Sequence, residues 1–205
     1  MQPGLFADLP PALPDGAAYE DDFLSRDEEA ALLPLIGTLP LQEAKYKDYT
    51  ARRRVVSYGG VFDYDTMELK PAGELPASFH WLRERAARWL GVEPADFVHA
   101  LVAEYRPGTP LGWHRDVPQF ECVVGISLAA PTRLRFRPYR RDTPEKVQRA
   151  DIVTVELQPR SIYKLTGPAR WAWQHSVPPV EALRYSITLR TPRGVMPRGF
   201  KPTLR

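Results

Sequence analysis

Cys122 is the single cysteine among the 205 residues, so the chain cannot close a disulfide within itself. A reducing compartment fits that usage. Long apolar runs are missing too: no stretch approaches the ~18 apolar residues of a membrane-crossing helix. Met1 to Pro14 holds no basic stretch leading into an apolar one, so nothing there reads as a secretory leader, and a cytoplasmic location is expected. Excess charge of one sign is small. Lys and Arg number 28 against 25 Asp and Glu, leaving +3 with a pI of about 9.0. That balance leans only mildly toward a polyanionic partner. What is present is ordinary for a globular chain, 43% hydrophobic and 26% charged, enough for one domain with a sizeable core. No repeat and no boundary to a second domain is visible.

Residues 1–18 are rich in Pro, Ala and Gly and read as a loosely ordered arm ahead of one domain over 19–205. Ser25-Arg26-Asp27-Glu28 is a capping-box pattern, which predicts a helix over Glu28–Ile36, with Pro34 as a dissonant residue inside it. After Pro76 the spacing of Phe79, Leu82, Ala86, Trp89 and Leu90 predicts a second helix, ended by Gly91. From Asp96 the pattern changes to short β-rich runs broken by Pro and Gly: Phe97–Tyr105, Cys122–Leu128, Arg133–Arg137, Ile152–Leu157, Ser161–Leu165 and Arg184–Arg190. Many short strands so spaced predict a sandwich or barrel. Arg140 to Ala150 is polar and reads as a hairpin loop.

Four histidines are present. His114 and Asp116 are two residues apart, so in an extended segment both side chains leave one side of the backbone and Arg115 leaves the other. Arg106 to Trp113 is a turn leading into the pair. His175, on a neighbouring strand, would complete a facial triad of two histidines and a carboxylate, leaving three metal positions open on one side. A lone H-x-D is common without a metal. His80, on the second helix, and His99, on a strand, lack such neighbours and read as structural.

Arg184, Ser186, Thr188 and Arg190 alternate with Tyr185, Ile187 and Leu189. One face is apolar. The other carries two arginines whose backbones sit roughly 20 Å apart at about 3.3 Å per residue. They could address the two ends of a dicarboxylate, or one end and the metal's own aspartate. A solvated sheet face with two surface arginines is the competing reading.

Taken in order, His114-Arg-Asp116, a distant His175 and Arg184-Tyr-Ser-Ile-Thr-Leu-Arg190 resemble the AlkB family of Fe(II)/2-oxoglutarate dioxygenases, whose pattern is H-x-D, H, R-x5-R. The lead-in Tyr105-Arg-Pro-Gly108 and the segments Ser78-Phe-His80 and Val124-Gly-Ile-Ser127-Leu128 are similar to family segments. The likeness runs from about Arg52 to Thr191. It implies a mainly β (α+β) fold with flanking helices, a double-stranded β-helix or jelly-roll core over about 96–191. It also implies Fe(II) on His114, Asp116 and His175, and O2 and 2-oxoglutarate as cosubstrates. The far carboxylate of 2-oxoglutarate would lie on Arg184 and Tyr105 with Ser186 beside them, and Arg190 would be nearer the metal. Two departures stand out. Many relatives carry Asn where this chain has Ala103 and Ser186, and DNA-repair members carry an acidic base-reading residue where it has Pro118.

The implied chemistry is oxidative demethylation of alkylated bases in nucleic acid, yielding succinate, CO2 and formaldehyde; a base in a duplex would first be flipped out. Arg52 to Tyr64 resembles the family's nucleotide-recognition lid, over about 50–66, with Arg53 on phosphate and Tyr58 and Tyr64 stacking on a base. An ordinary hairpin is the alternative. Trp113 could wall the site, and Trp171 and Trp173 could shield it or simply pack. Arg133, Arg135 and Arg137 share one strand face, extended by Arg140 and Arg141, and read either as a phosphate track or as a solvated outer face. The expected partner is alkylated nucleic acid, single-stranded by preference, acted on by a monomer. Hydroxylation of a protein or small metabolite is the other enzymatic reading, and a non-catalytic binding module is a third.

Overall fold

The computed structural model describes residues 12–46, 49–63, 66, 68–139 and 151–199. Tyr64, the loop expected over Arg140–Ala150 and most of the expected N-terminal arm lie outside them. In chain order the elements are β1 (Ala17–Glu20), α1 (Arg26–Gly37), β2 (Gln42–Tyr46), β3 (Tyr49–Tyr58), β4 (Gly60–Asp63), β5 (Glu68–Pro71), α2 (His80–Leu90), β6 (His99–Tyr105), β7 (Leu111–His114), β8 (Phe120–Leu128), β9 (Thr132–Pro138), β10 (Val153–Leu157), β11 (Ile162–Leu165), α3 (Gly167–Trp171), β12 (Trp173–Val177) and β13 (Arg184–Pro192).

Seven strands form an antiparallel sheet in the order β1-β11-β8-β13-β6-β3-β2, four form a second in the order β10-β9-β12-β7, and β4 pairs with β5 as a ribbon. The fold is the mainly β jelly roll with flanking helices that the sequence predicts. Alternation along the strands builds two cores. Ala100 and Val102 of β6, Val124 and Ile126 of β8, and Ile187 and Leu189 of β13 pack against Leu32 and Ile36 of α1 and Leu82, Ala86 and Leu90 of α2. The opposite face of the large sheet, with Ala103, Tyr105 and Val123, meets Leu134, Phe136, Leu157 and Val177 of the small one. β13 is therefore buried on both faces, and its arginine face is sandwich interior rather than solvated surface.

Both predicted helices are present. In α1 the Ser25 hydroxyl accepts from the Glu28 amide while the Glu28 carboxylate accepts from the Ser25 amide. Pro34 is accommodated because it and Ala30, whose carbonyl it leaves without a helical donor, both lie on the exposed side. α2 ends at Gly91, in the left-handed region at φ 85°, whose amide donates to Ala87 O at 2.8 Å.

Two expectations change. β3 is a ten-residue strand of the large sheet, paired with β6, so the first half of the expected lid is sheet and only the β4–β5 ribbon stands apart. Ala17 and Ala18, placed in the arm, pair with Leu165 and Lys164 as an edge strand. Gly16 enables this turn. Its φ is +87°, and a Cβ there would meet Thr166 O at 2.0 Å.

Candidate active site

His114 ends β7 and His175 lies in the middle of β12, and the two are direct partners across the antiparallel pair. Their rings therefore stand side by side, with centroids 4.2 Å apart. Asp116 follows on the loop leaving β7. One ligand atom from each of His114, Asp116 and His175 lies within 4.8 Å of the others, the one such His/Cys/Asp/Glu cluster among the described residues. The turn before β7 is fastened to the stretch after β12: Gly108 N donates to Val180 O at 2.8 Å and Val180 N to Thr109 O at 3.3 Å. Behind Asp116, the buried Arg170 of α3 donates to the carbonyls of Val117 at 2.7 Å and Phe120 at 2.9 Å, clamping the loop.

The residues fit a metal ion. Asp116 Oδ1 accepts from Nε and Nη2 of Arg190 at 2.7 and 2.6 Å. Asp116 Oδ2 is buried with no hydrogen-bond partner, an arrangement that needs a cation or donor to be stable. His114 Nδ1 is 2.9 Å from the Gly112 carbonyl. A carbonyl only accepts, so Nδ1 carries the proton and Nε2 is left as the ligand nitrogen. Burial pushes His175 down to about 3, helped by His114 beside it, and burial also lowers His114. Burial alone would raise Asp116, but Arg190, His175 and His114 hold it far below the usual carboxylate range. The cluster is thus two neutral imidazoles and one carboxylate, a donor set suited to Fe(II).

Arg184 lies on the same sandwich-facing side of β13 as Arg190. It is 2% exposed, donates from Nε to Ser127 Oγ at 3.1 Å and stacks 5.1 Å from the Tyr105 ring, its direct partner on β6. Among the described residues no carboxylate forms an ion pair with it; its partners are the hydroxyls of Ser127 and Tyr105. A buried guanidinium facing only hydroxyls fits a ligand carboxylate. Ser186 adjoins Tyr105 on this face and hydrogen-bonds its hydroxyl. Arg190 is committed elsewhere, to Asp116 and to His99 Nδ1 at 3.2 Å. Of the two roles left open by the sequence, it has the one at the metal's aspartate.

Two residues went unnoticed in the sequence as parts of this pocket. Tyr163 of β11 pairs with Gly125, where any Cβ would collide with the phenol at 2.2 Å. Its buried hydroxyl is pushed up to about 12 by burial, with Arg184 and Tyr105 nearby. The glycine inside an otherwise bulky run, Val123-Val124-Gly125-Ile126, was the available signal. Arg170 had none, because α3 was not anticipated.

The substrate expectations need correction. Trp113 alternates with His114 and so projects from the outer face of the small sheet, 4.6 Å from Arg137 and 5.1 Å from Arg135; it does not wall the site. Tyr58 packs on the helix-side core, across the large sheet from the triad. Arg54 is bound to Glu104 at 3.1 Å and to Leu41 O at 3.0 Å rather than presented to phosphate. Arg53 turns inward and hydrogen-bonds Tyr105. His80 bonds the Leu75 carbonyl at 2.9 Å, as a structural residue would.

A fold with an iron-type facial triad and a buried arginine beyond it defines a non-haem oxygenase, and the sequence comparisons agree. The profile described as "2OG-Fe(II) oxygenase superfamily" matches residues 43–190. The chain belongs to this superfamily, whose members are dioxygenases using Fe(II), 2-oxoglutarate and O2. Within it the resemblance is to AlkB proteins. The chain is 30% identical over 194 residues to "Alkylated DNA repair protein ALKBH8 homolog" of Arabidopsis thaliana, covering 85% of this chain and 54% of that protein. It is 27% identical over 148 residues to "Alpha-ketoglutarate-dependent dioxygenase AlkB" of Escherichia coli K12, covering 69% and 66%. The chain thus spans between half and two thirds of these two relatives. In fold it is similar to the solved structure of OsALKBH1, at TM-score 0.66 and 16% identity over 88% of this chain and 98% of that one. No helix among the described residues is long and apolar enough to cross a membrane.

Proposed function

We propose that the chain demethylates alkylated bases in nucleic acid, with His114, Asp116 and His175 as the iron ligands and Arg184, Tyr105 and Ser186 gripping the far carboxylate of 2-oxoglutarate. Bound Fe(II), with 2-oxoglutarate and O2, supplies the power to hydroxylate an inert C–H bond, the cosubstrate leaving as succinate and CO2. The protein's residues prepare that chemistry. Arg190 fixes the carboxylate of Asp116 and leaves Oδ2 for the metal. The Gly112 carbonyl holds the His114 tautomer. Phe136, the buried partner of His175 on β9, keeps that flank dry. An N-methyl carbon hydroxylated here would break its C–N bond and release formaldehyde.

The observation that carries the substrate reading is the outer face of the small sheet. Arg133, Arg135 and Arg137 project along β9, with Trp113 between the last two in space. Beyond them Arg115 stacks 3.7 Å over the Tyr139 ring. Among the described residues of β9 and β10 on this face, the one acid is Glu156, bound to Arg133 at 2.8 Å. Guanidinium groups neutralise phosphate and aromatic rings stack with bases, and the names of the relatives point the same way. A paired base costs a few kcal/mol to unstack, which favours single-stranded substrate. The test is a mass-spectrometric screen of methylated DNA and RNA oligonucleotides with unmethylated controls. Loss of a methyl mass with formaldehyde release supports the reading. Succinate formation without any methyl loss would oppose it and favour a protein or metabolite substrate, a reading that Pro118 also favours because its ring offers no acceptor to a base.

A further inference from the structure

We infer that Arg53 is a second arginine for the far carboxylate of 2-oxoglutarate, reaching the pocket from β3 to close it over Tyr105. This rests on the reading that Arg184 and Tyr105 take that carboxylate. Strand register supplies the placement. Arg54 pairs with Glu104 and Val55 with Ala103, so Arg53 lies beside Tyr105 on the inner face, where Val55 joins the sandwich core. There it hydrogen-bonds the Tyr105 hydroxyl. Two of the neighbouring inner positions, Ala103 and Ser186, lie directly opposite each other and carry small side chains.

Electrostatics agrees. Burial raises the Tyr105 hydroxyl, yet the charges of Arg53 and Arg184, with hydrogen bonds from Arg53 and Ser186, bring it below its ordinary value. Tyr105 is thus flanked by two cations. Arg190 is committed to Asp116 and cannot serve as the second cation. A carboxylate entering a dry pocket gains from each charge-assisted donor it meets, and Arg53 and Arg184 together offer two planar forks around one phenol.

The experiment measures binding rather than turnover. The protein is loaded with Mn(II) under nitrogen and titrated by calorimetry with 2-oxoglutarate and with 2-oxopentanoate, which has a methyl group in place of the far carboxylate. Arg53→Ala should weaken 2-oxoglutarate about tenfold or more and leave 2-oxopentanoate within about twofold, with Arg53→Lys between wild type and alanine. Arg184→Ala is the control for the underlying reading: if it too leaves 2-oxoglutarate affinity unchanged, the carboxylate pocket itself is misplaced. If Arg184→Ala weakens binding and Arg53→Ala does not, only the Arg53 inference falls. Equal weakening of both ligands by Arg53→Ala, or a loss confined to oligonucleotide affinity, also overturns it. Thermal melting of the apo variants accompanies each titration, and Arg53→Lys carries the test if the alanine variant melts early.

Discussion

Arg190 gives Nε and Nη2 to one oxygen of Asp116, Oδ1, and neither to the other. One long side chain from the centre of the large sheet therefore does two things. It neutralises a buried carboxylate in the absence of metal, and it orients that carboxylate so that Oδ2 faces the two imidazoles.

Removing this arginine should damage the apo fold and the metal site together. Arg190→Met leaves the Asp116 charge buried and unpaired, a loss of about 3–5 kcal/mol. Urea unfolding of the metal-free protein reads it. Iron affinity should fall about 10–100-fold, as is usual when a group orienting a ligand is lost. Asp116→Asn with Arg190→Met should recover part of the apo stability and none of the iron binding. Full stability in the single Arg190→Met variant would contradict the role assigned to the pair.

The triad itself is tested by His114→Ala and His175→Ala. Each should abolish Fe(II)-dependent succinate formation with far-UV circular dichroism unchanged, because three protein ligands leave no redundancy. Near-normal turnover by His175→Ala at limiting iron would remove it from the ligand set.

Arg184→Ala should raise the 2-oxoglutarate concentration needed for half-maximal turnover roughly ten- to a hundredfold, since a charge-assisted bond contributes about 1.5–3 kcal/mol. The iron requirement should move far less, and lysine should rescue only in part. An unchanged 2-oxoglutarate titration would exclude the arginine from the pocket.

Much of this site was legible because period-two alternation and local motifs carry it. The capping box at Ser25, the stop at Gly91, the shared side of His114 and Asp116, and the arginine face of β13 all follow from neighbours in sequence. What was misread depended on which strand lies next to which. Recognising β3 as a partner of β6 assigns Arg53 and Val55 to the interior and Val56 and Tyr58 to the helix side. Without that pairing the run looked like a free lid. Trp113 was recoverable: if His114 points inward on a strand, its neighbour points out. Arg170 was not, because it reaches the loop after Asp116 across a distance of about fifty positions in the chain.

His99 predicts an acid-side loss of stability. Burial, with Arg190 beside it, pushes it down to about 3, against 6.5 for the free side chain. Between those values the unfolded chain takes up a proton that the fold refuses, so stability is intact above about pH 6.5 and declines as pH falls toward 3. His99→Gln should make apo stability less steep between pH 6.5 and 4.5 by up to about 1.4 kcal/mol per pH unit. Parallel pH profiles in urea melts of wild type and variant would count against it.

The outer face of the small sheet should govern nucleic-acid affinity without touching the chemistry. Arg135→Ala with Arg137→Ala should weaken single-stranded oligonucleotide binding and lower the salt slope by about one for each phosphate no longer neutralised. Substrate-free 2-oxoglutarate turnover should stay at the wild-type level. Unchanged affinity and salt slope would make this face an ordinary solvated surface.

The central claim is that oxidation at this site is coupled to removal of a methyl group from a nucleic-acid base. The direct measurement is formaldehyde against succinate in one reaction, with a single methylated oligonucleotide supplied as a single strand, as a duplex and in unmethylated form. The account predicts near-equal formaldehyde and succinate on the methylated single strand, less of both on the duplex, and succinate without formaldehyde on the unmethylated strand. Succinate without formaldehyde from every methylated DNA and RNA tested would contradict it.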